Sequence, residues 1–165
     1  MRIADLEGPF YHGTTRPFKT GFLLRPQRDG YAQGDAYMDA NEKKLHAAME
    51  KAVDSFRPPD AVSRFKAVFM ISGHGKPLDQ VLKEIDWAGG YLDFVYEVEP
   101  MAHITKCNLS WYTVASEQAY VDSDTLNMES LEHCARNYWS AAPGPRTLYE
   151  YLTPSAIIRK LVHQE

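Results

Sequence analysis

Apolar positions along the chain follow two periods, and the switches between them predict the elements. Leu45, Ala48, Met49, Ala52, Val53 and Phe56 recur at three and four residues, which predicts a helix with one continuous apolar face. Asp39 with Glu42 three residues on forms a capping box at its start, satisfying two orphan backbone donors. Arg57-Pro58-Pro59 ends it, because proline lacks a donor and disfavours helical geometry in its predecessor. A second helix follows Pro77 and carries Leu78, Val81, Leu82 and Ile85 on one side until Gly89-Gly90 breaks it. A third, capped by Asp124 or Thr125, places Leu131, Cys134, Ala135 and Tyr138 on one face.

The other apolar stretches read as strands. Residues 65–72 form a compact apolar run bounded by Ser63-Arg64 and Gly73, the pattern of a buried strand. Residues 91–99 alternate, with Leu92, Phe94 and Tyr96 on one face and Asp93, Val95, Glu97 and Glu99 mainly on the other. Near the start, a short strand ends in a His12-Gly13-Thr14 turn, and Phe18, Phe22, Leu23 and Leu24 follow as partly buried anchors. Residues 103–114 are expected to hold another strand, with Trp111 and Tyr112 as large packing groups. The chain closes on a strand or strand pair over residues 148–162, interrupted at Pro154. No repeat or long linker divides residues 1–165, and the mixed order of elements predicts one α+β domain.

Composition narrows the function classes. With 165 residues, 44% of them hydrophobic, the chain is long enough to bury a core of its own. A formal net charge of −4 gives no global basic field, so nucleic acid is permitted as a partner only through a local patch. Cys107 and Cys134 lack the spacing of a zinc site or a disulfide framework, which points to a reduced, cytoplasmic setting. No apolar run approaches the ~20 residues of a membrane helix, and Asp5 and Glu7 interrupt the stretch where a signal peptide would be apolar, so no membrane partner is expected. The histidines lie on separate elements without ligand spacing, so no metal is expected either.

Two boxes carry the candidate chemistry: Phe10-Tyr11-His12-Gly13-Thr14-Thr15 near the start and Leu148-Tyr149-Glu150-Tyr151-Leu152 near the end. Glycine after a strand histidine lets the backbone approach a ligand closely. Together the boxes resemble the NAD-binding frame of the ADP-ribosyltransferase superfamily of His-Tyr-Glu type, in particular poly(ADP-ribose) polymerase-like and rifamycin ADP-ribosyltransferase-like domains. That resemblance implies a split β-sandwich of two short sheets with flanking helices, and NAD as the ADP-ribose donor. It assigns the Gly13 backbone to the nicotinamide amide and the His12 side chain to the adenosine-side ribose, with Tyr11 and Thr14 supporting the turn and Arg16 or Arg25 facing the diphosphate. Glu150 would grip a ribose hydroxyl and face the positive charge that develops as the nicotinamide–ribose bond breaks.

The middle position of the set has two candidates. Tyr37, in Gly34-Asp35-Ala36-Tyr37 before the first helix, matches a polymerase-type segment. Phe69, in the strand that ends at Ser72, matches by element order, and Phe69 and Ser72 then join the cofactor side. A Phe could stack on nicotinamide but could not donate a hydrogen bond. Small transferases of this kind also use an Asp shortly after a Val-Glu-Pro strand, and residues 104–108 contain no acid.

Arginine-modifying relatives carry a second Glu two residues before the catalytic one. Leu148 stands there, which disfavours protein arginine as acceptor. The loop over residues 139–146 falls where the family keeps its target-recognition loop, with Tyr138 and Trp139 at its root to stack on a flat acceptor. The expectation is a NAD-dependent mono-ADP-ribosyltransferase, a phage-borne or bacterial effector, toxin or antibiotic-modifying enzyme, acting on a protein, nucleic acid or small molecule. The alternative is a catalytically degenerate domain of the same shape that binds a nucleotide or a partner protein.

Overall fold

The computed structural model describes residues 2–26, 40–118 and 125–165. Along the chain these form α1 (Ile3–Glu7), β1 (Phe10–Thr14), β2 (Leu23–Leu24), α2 (Ala40–Ser55), β3 (Val68–Ser72), α3 (Leu78–Trp87) and β4 (Phe94–Pro100). The remainder are β5 (Thr105–Asn108), α4 (Leu109–Gln118), α5 (Met128–Trp139), β6 (Tyr149–Thr153) and β7 (Ala156–Gln164). All strand pairs are antiparallel, and the strands form one curled seven-stranded sheet in the order β2-β7-β4-β1-β3-β6-β5. The expected α+β class stands. The strands are hydrogen-bonded through a single order and not as two free-standing short sheets.

That sheet is nevertheless divided at its centre. β1 pairs with β4 over five positions, from Phe10 opposite Val98 to Thr14 opposite Phe94. With β3 it pairs only at Phe10 opposite Ser72 and Tyr11 opposite Ile71. The first half of β3, Val68 to Met70, pairs instead with β6. β1 and β3 therefore meet at one end and fork at the other. Pro154, which cannot donate to a ladder, sends the chain across the divide: β6 pairs with β3 and β5, whereas β7 pairs with β4 and β2.

Side chains alternate across the sheet and feed separate packing layers. Met49 and Val53 of α2, Ala115 of α4, and Leu131, Cys134 and Tyr138 of α5 bury against Cys107 of β5 and Leu152 of β6. Residues turned the other way, among them Phe10, Met70, Tyr96, Val98, Tyr151 and Ile158, form a second cluster. A third places Val81 and Ile85 of α3 on Ile71 and Val95. Each large apolar side chain so buried contributes about 1.5–3 kcal/mol. Among the described residues, no helix is long and apolar enough to cross a membrane.

Local signals explain where the elements differ from expectation. The strand expected over 103–114 stops at Asn108, whose Oδ1 accepts the Ser110 N–H at 3.0 Å and caps a helix that takes Trp111 and Tyr112 with it. The cap of α5 is Asn127, accepting from the Ser130 N–H at 3.2 Å. Thr125 stands outside that helix, and Asp124 and Asp39 lie outside the described residues. α3 ends as expected, with Gly89 at φ 78° supplying the left-handed turn.

Candidate functional site

The fork between β1 and β3 can be followed bond by bond. The Gly73 N–H donates to the Pro9 carbonyl at 2.7 Å, so odd-numbered residues of β1 turn their peptide groups toward β3. Tyr11 pairs with Ile71 in that sense, and the next pair in line would be Gly13 with Phe69. The strands have parted by that point. The Phe69 carbonyl accepts from the ring of His12 instead, with Nδ1 2.8 Å away, and the alternation turns the peptide groups of Gly13 into the gap.

This bond sets the state of the histidine. A carbonyl only accepts, so Nδ1 carries the proton and Nε2 the lone pair. Burial lowers the His12 pKa, and the Phe69 bond opposes that shift without overcoming it, which keeps the ring neutral near pH 7. Gly13 is required by close approach: a Cβ there would lie 1.9 Å from the Tyr91 carbonyl oxygen and 3.1 Å from Ile85 Cγ2. Gly73 answers to Tyr11 in the same way, since a Cβ would meet that ring at 2.3 Å.

The gap opens into a cleft of about 680 Å³, within the usual range for small-molecule sites. Its outer wall is the segment after β1. Thr14 Oγ1 accepts the Arg16 N–H at 3.2 Å and shapes the turn. Further on, the Gly21 N–H donates to the Ile158 carbonyl at 2.7 Å and the Ile158 N–H returns to Phe22 at 2.9 Å, pinning this wall to β7. Phe18 packs against Phe22 with ring centroids 4.8 Å apart, and Phe22 stays 48% exposed inside the cleft lining. Arg16 and Arg25 line the same wall and are exposed.

Glu150 lies on the inner side, supplied by β6 and only 3% exposed. Its Oε1 accepts from Arg64 Nη1 and from the Tyr138 hydroxyl. Arg64, on a 3-10 turn that leads into β3, also donates from Nη1 to the Tyr138 oxygen at 2.6 Å and from Nε to Glu50 Oε2 at 3.2 Å. The Tyr112 hydroxyl donates to the other oxygen of Glu50. The guanidinium carbon lies 4.3 Å from the centroid of Tyr112 and 5.0 Å from that of Phe69. One buried cation thus stands between two buried carboxylates, each holding a tyrosine hydroxyl. Burial pushes the Tyr138 phenol well up, with Arg64 pulling it back, and burial beside Glu150 raises the Cys107 thiol.

The structure brings Tyr11, His12, Gly13, Thr14, Arg16, Phe69 and Glu150 around one cleft. Ser72 is not part of it: at the closed end of the fork, its hydroxyl donates to the Glu7 carbonyl and accepts the His74 N–H at 3.1 Å. Tyr37 lies outside the described residues. The loop over 139–146 is tied to α4, where Trp111 Nε1 donates to the Ala142 carbonyl at 3.1 Å, and it does not line the cleft. Tyr138 and Trp139 are buried in the core, so neither ring is presented to an acceptor.

Arg64 and Glu50 were not singled out in the sequence as site residues, and Tyr112 was read only as a packing group. The available signal was Glu50 beside Met49 and three residues before Val53, an acid next to the buried stripe of a helix, which calls for a buried cation. Among the described residues, no group of three or more His, Cys, Asp or Glu is placed to hold a metal ion. A scan against protein-family models matched none, and a search of curated proteins found no match.

Proposed function

We propose that the cleft binds NAD and that the protein is a mono-ADP-ribosyltransferase built on an ADP-ribosyltransferase-like split fold. The observation that carries this reading is the meeting of His12, Gly13, Phe69 and Glu150, from three strands, at the fork of the sheet. The outward peptide groups of Gly13 suit the nicotinamide amide, and the ring of Phe69 offers an apolar face for the heterocycle. Neutral His12, with its lone pair on Nε2, suits a ribose hydroxyl as donor. Arg16 and Arg25 beside the exposed ring of Phe22 suit a diphosphate followed by a flat base.

In this reading the C1′–N bond to nicotinamide breaks and its electron pair leaves with the neutral nicotinamide. An acceptor nucleophile then bonds to C1′ and loses its proton. Glu150 acts by holding a ribose hydroxyl and facing the oxocarbenium-like charge, which stabilises the transition state more than the ground state. Incubation with NAD tests the reading. The expected results are release of nicotinamide and a rise in thermal midpoint with NAD concentration. A protein that shows neither is not a NAD enzyme.

Two observations favour a second reading. Arg64 places a cation on Glu150, the carboxylate assigned to meet a developing cation, and Phe69 lacks the hydroxyl usual at its position. A degenerate domain that binds a nucleotide without cleaving it accounts for both. Thermal stabilisation by NAD without nicotinamide release would favour it.

A further inference from the structure

Both hydrogen bonds to the Glu150 carboxylate among the described residues fall on Oε1. Two donors on one oxygen fix the plane of the carboxylate and leave Oε2 as the acceptor for anything entering the cleft that Glu150 lines. The first donor, Arg64, is itself held: Glu50 takes its Nε, and the rings of Tyr112 and Phe69 flank the guanidinium. Phe69 is also the residue whose carbonyl holds His12. Arg64 therefore touches two of the cleft's groups and stands one hydrogen bond from a third.

We propose that Arg64, anchored by Glu50, is the positioning residue of this cleft. It presents Oε2 of Glu150 to the substrate's ribose hydroxyl while backing the ring of Phe69. This role rests on the NAD-cleaving reading above and adds the device that aims its carboxylate. It also answers the electrostatic objection to a cation at Glu150. The guanidinium is shared: Glu50, which His46 also approaches at 3.8 Å, engages it from one side, so Arg64 is not an unshared counter-ion of Glu150.

The test uses the full chain and nicotinamide release from NAD, with kcat and KM measured separately alongside thermal midpoints with and without NAD. Arg64→Lys keeps the charge and loses the planar fork, and Glu50→Gln loosens the anchor. Each is expected to lower kcat by about 10–100-fold with KM within about threefold, the pattern of a misaimed group. Arg64→Lys added to Glu150→Gln should cost far less than Arg64→Lys does alone, because the arginine acts mainly through that carboxylate and only the backing of Phe69 is left to lose. If Arg64→Lys fails to fold, Glu50→Gln with Arg64→Met decides, since it removes the buried charges as a pair.

Folded variants that retain wild-type kcat overturn the proposal, as does a loss that multiplies with that of Glu150→Gln. In either case the NAD-cleaving reading survives. Wild-type protein that binds NAD without releasing nicotinamide, or does neither, overturns that reading and the role of Arg64 with it.

Discussion

Gly13→Ala is the perturbation whose magnitude the structure allows to be worked out most fully. The added Cβ would lie 1.9 Å from the Tyr91 carbonyl oxygen, so that oxygen must retreat by on the order of 1.5 Å to restore ordinary contact. The turn that carries it has little room. The Gly90 N–H donates to the Ile85 carbonyl at 2.8 Å, and Gly90 is itself packed so closely that its own Cβ would meet Ile85 Cγ2 at 2.7 Å. Overpacking of this kind costs about 1–3 kcal/mol, offset in part by the roughly 0.5–1 kcal/mol that Ala gains over Gly in lost chain entropy. A net loss of about 1–1.5 kcal/mol in a domain of this size lowers the thermal midpoint by roughly 2–6 °C. Thermal unfolding of the wild type, Gly13→Ala and Gly21→Ala provides the assay. Gly21 has φ 89° and open space around it, so its substitution reports backbone strain without a collision. The Gly13 variant should lose both stability and stabilisation by NAD, and the Gly21 variant only stability. A Gly13→Ala protein that melts within about 1 °C of wild type and still responds to NAD would refute the close approach on which the cleft geometry rests.

Other outcomes follow from the same contacts. The pKa of His12 is lowered in the folded state, so between that value and about 6.5 the unfolded chain binds the extra proton. Its contribution is therefore full above about pH 6.5 and is lost as pH falls below it, with a slope of at most about 1.4 kcal/mol per pH unit. His12→Asn should flatten the acid limb of a plot of stability against pH, and an unchanged slope would count against a neutral, partly buried ring. Asn108→Ala removes the cap on Ser110 and the 2.8 Å bond from Nδ2 to the Ala142 carbonyl, and should cost about 1–3 kcal/mol by urea denaturation, with the m-value unchanged. Cys107 is fully buried with its thiol pKa raised, so it should resist iodoacetamide at pH 8 until the protein unfolds, and modification of that residue in the native protein would contradict the packing around Glu150.

Helices α2, α3 and α5 and most strands were legible in the chain because their apolar period is local, whereas α1 and α4 were not. Met49 and Val53, or Leu131, Cys134 and Tyr138, announce their shared face within a few residues. The boundary at Asn108 was not, because a single capping side chain turned what was read as one strand into a strand and a helix. In the site, His12, Gly13 and Glu150 stand in two boxes that each fall on one strand, and both strands line the cleft. Ser72 was swept in only because it shares a strand with Phe69, and register places it at the closed end of the fork. The Arg64 cluster stayed hidden for the opposite reason. Its partners Glu50, Tyr112, Tyr138 and Glu150 come from α2, α4, α5 and β6, and nothing short of the tertiary fold brings them together. The parting of β1 from β3, which opens the cleft, is likewise a matter of register that no local pattern records.

The central claim is that this cleft cleaves NAD with Glu150 as the stabilising carboxylate. The most direct measurement is nicotinamide release from NAD by the wild type and by Glu150→Gln, which preserves shape and removes the charge. The account predicts release by the wild type, and a rate lower by about 10²–10³ in the variant, with its thermal midpoint still raised by NAD. Equal rates in the two proteins, or no release and no stabilisation by NAD in the wild type, would contradict it.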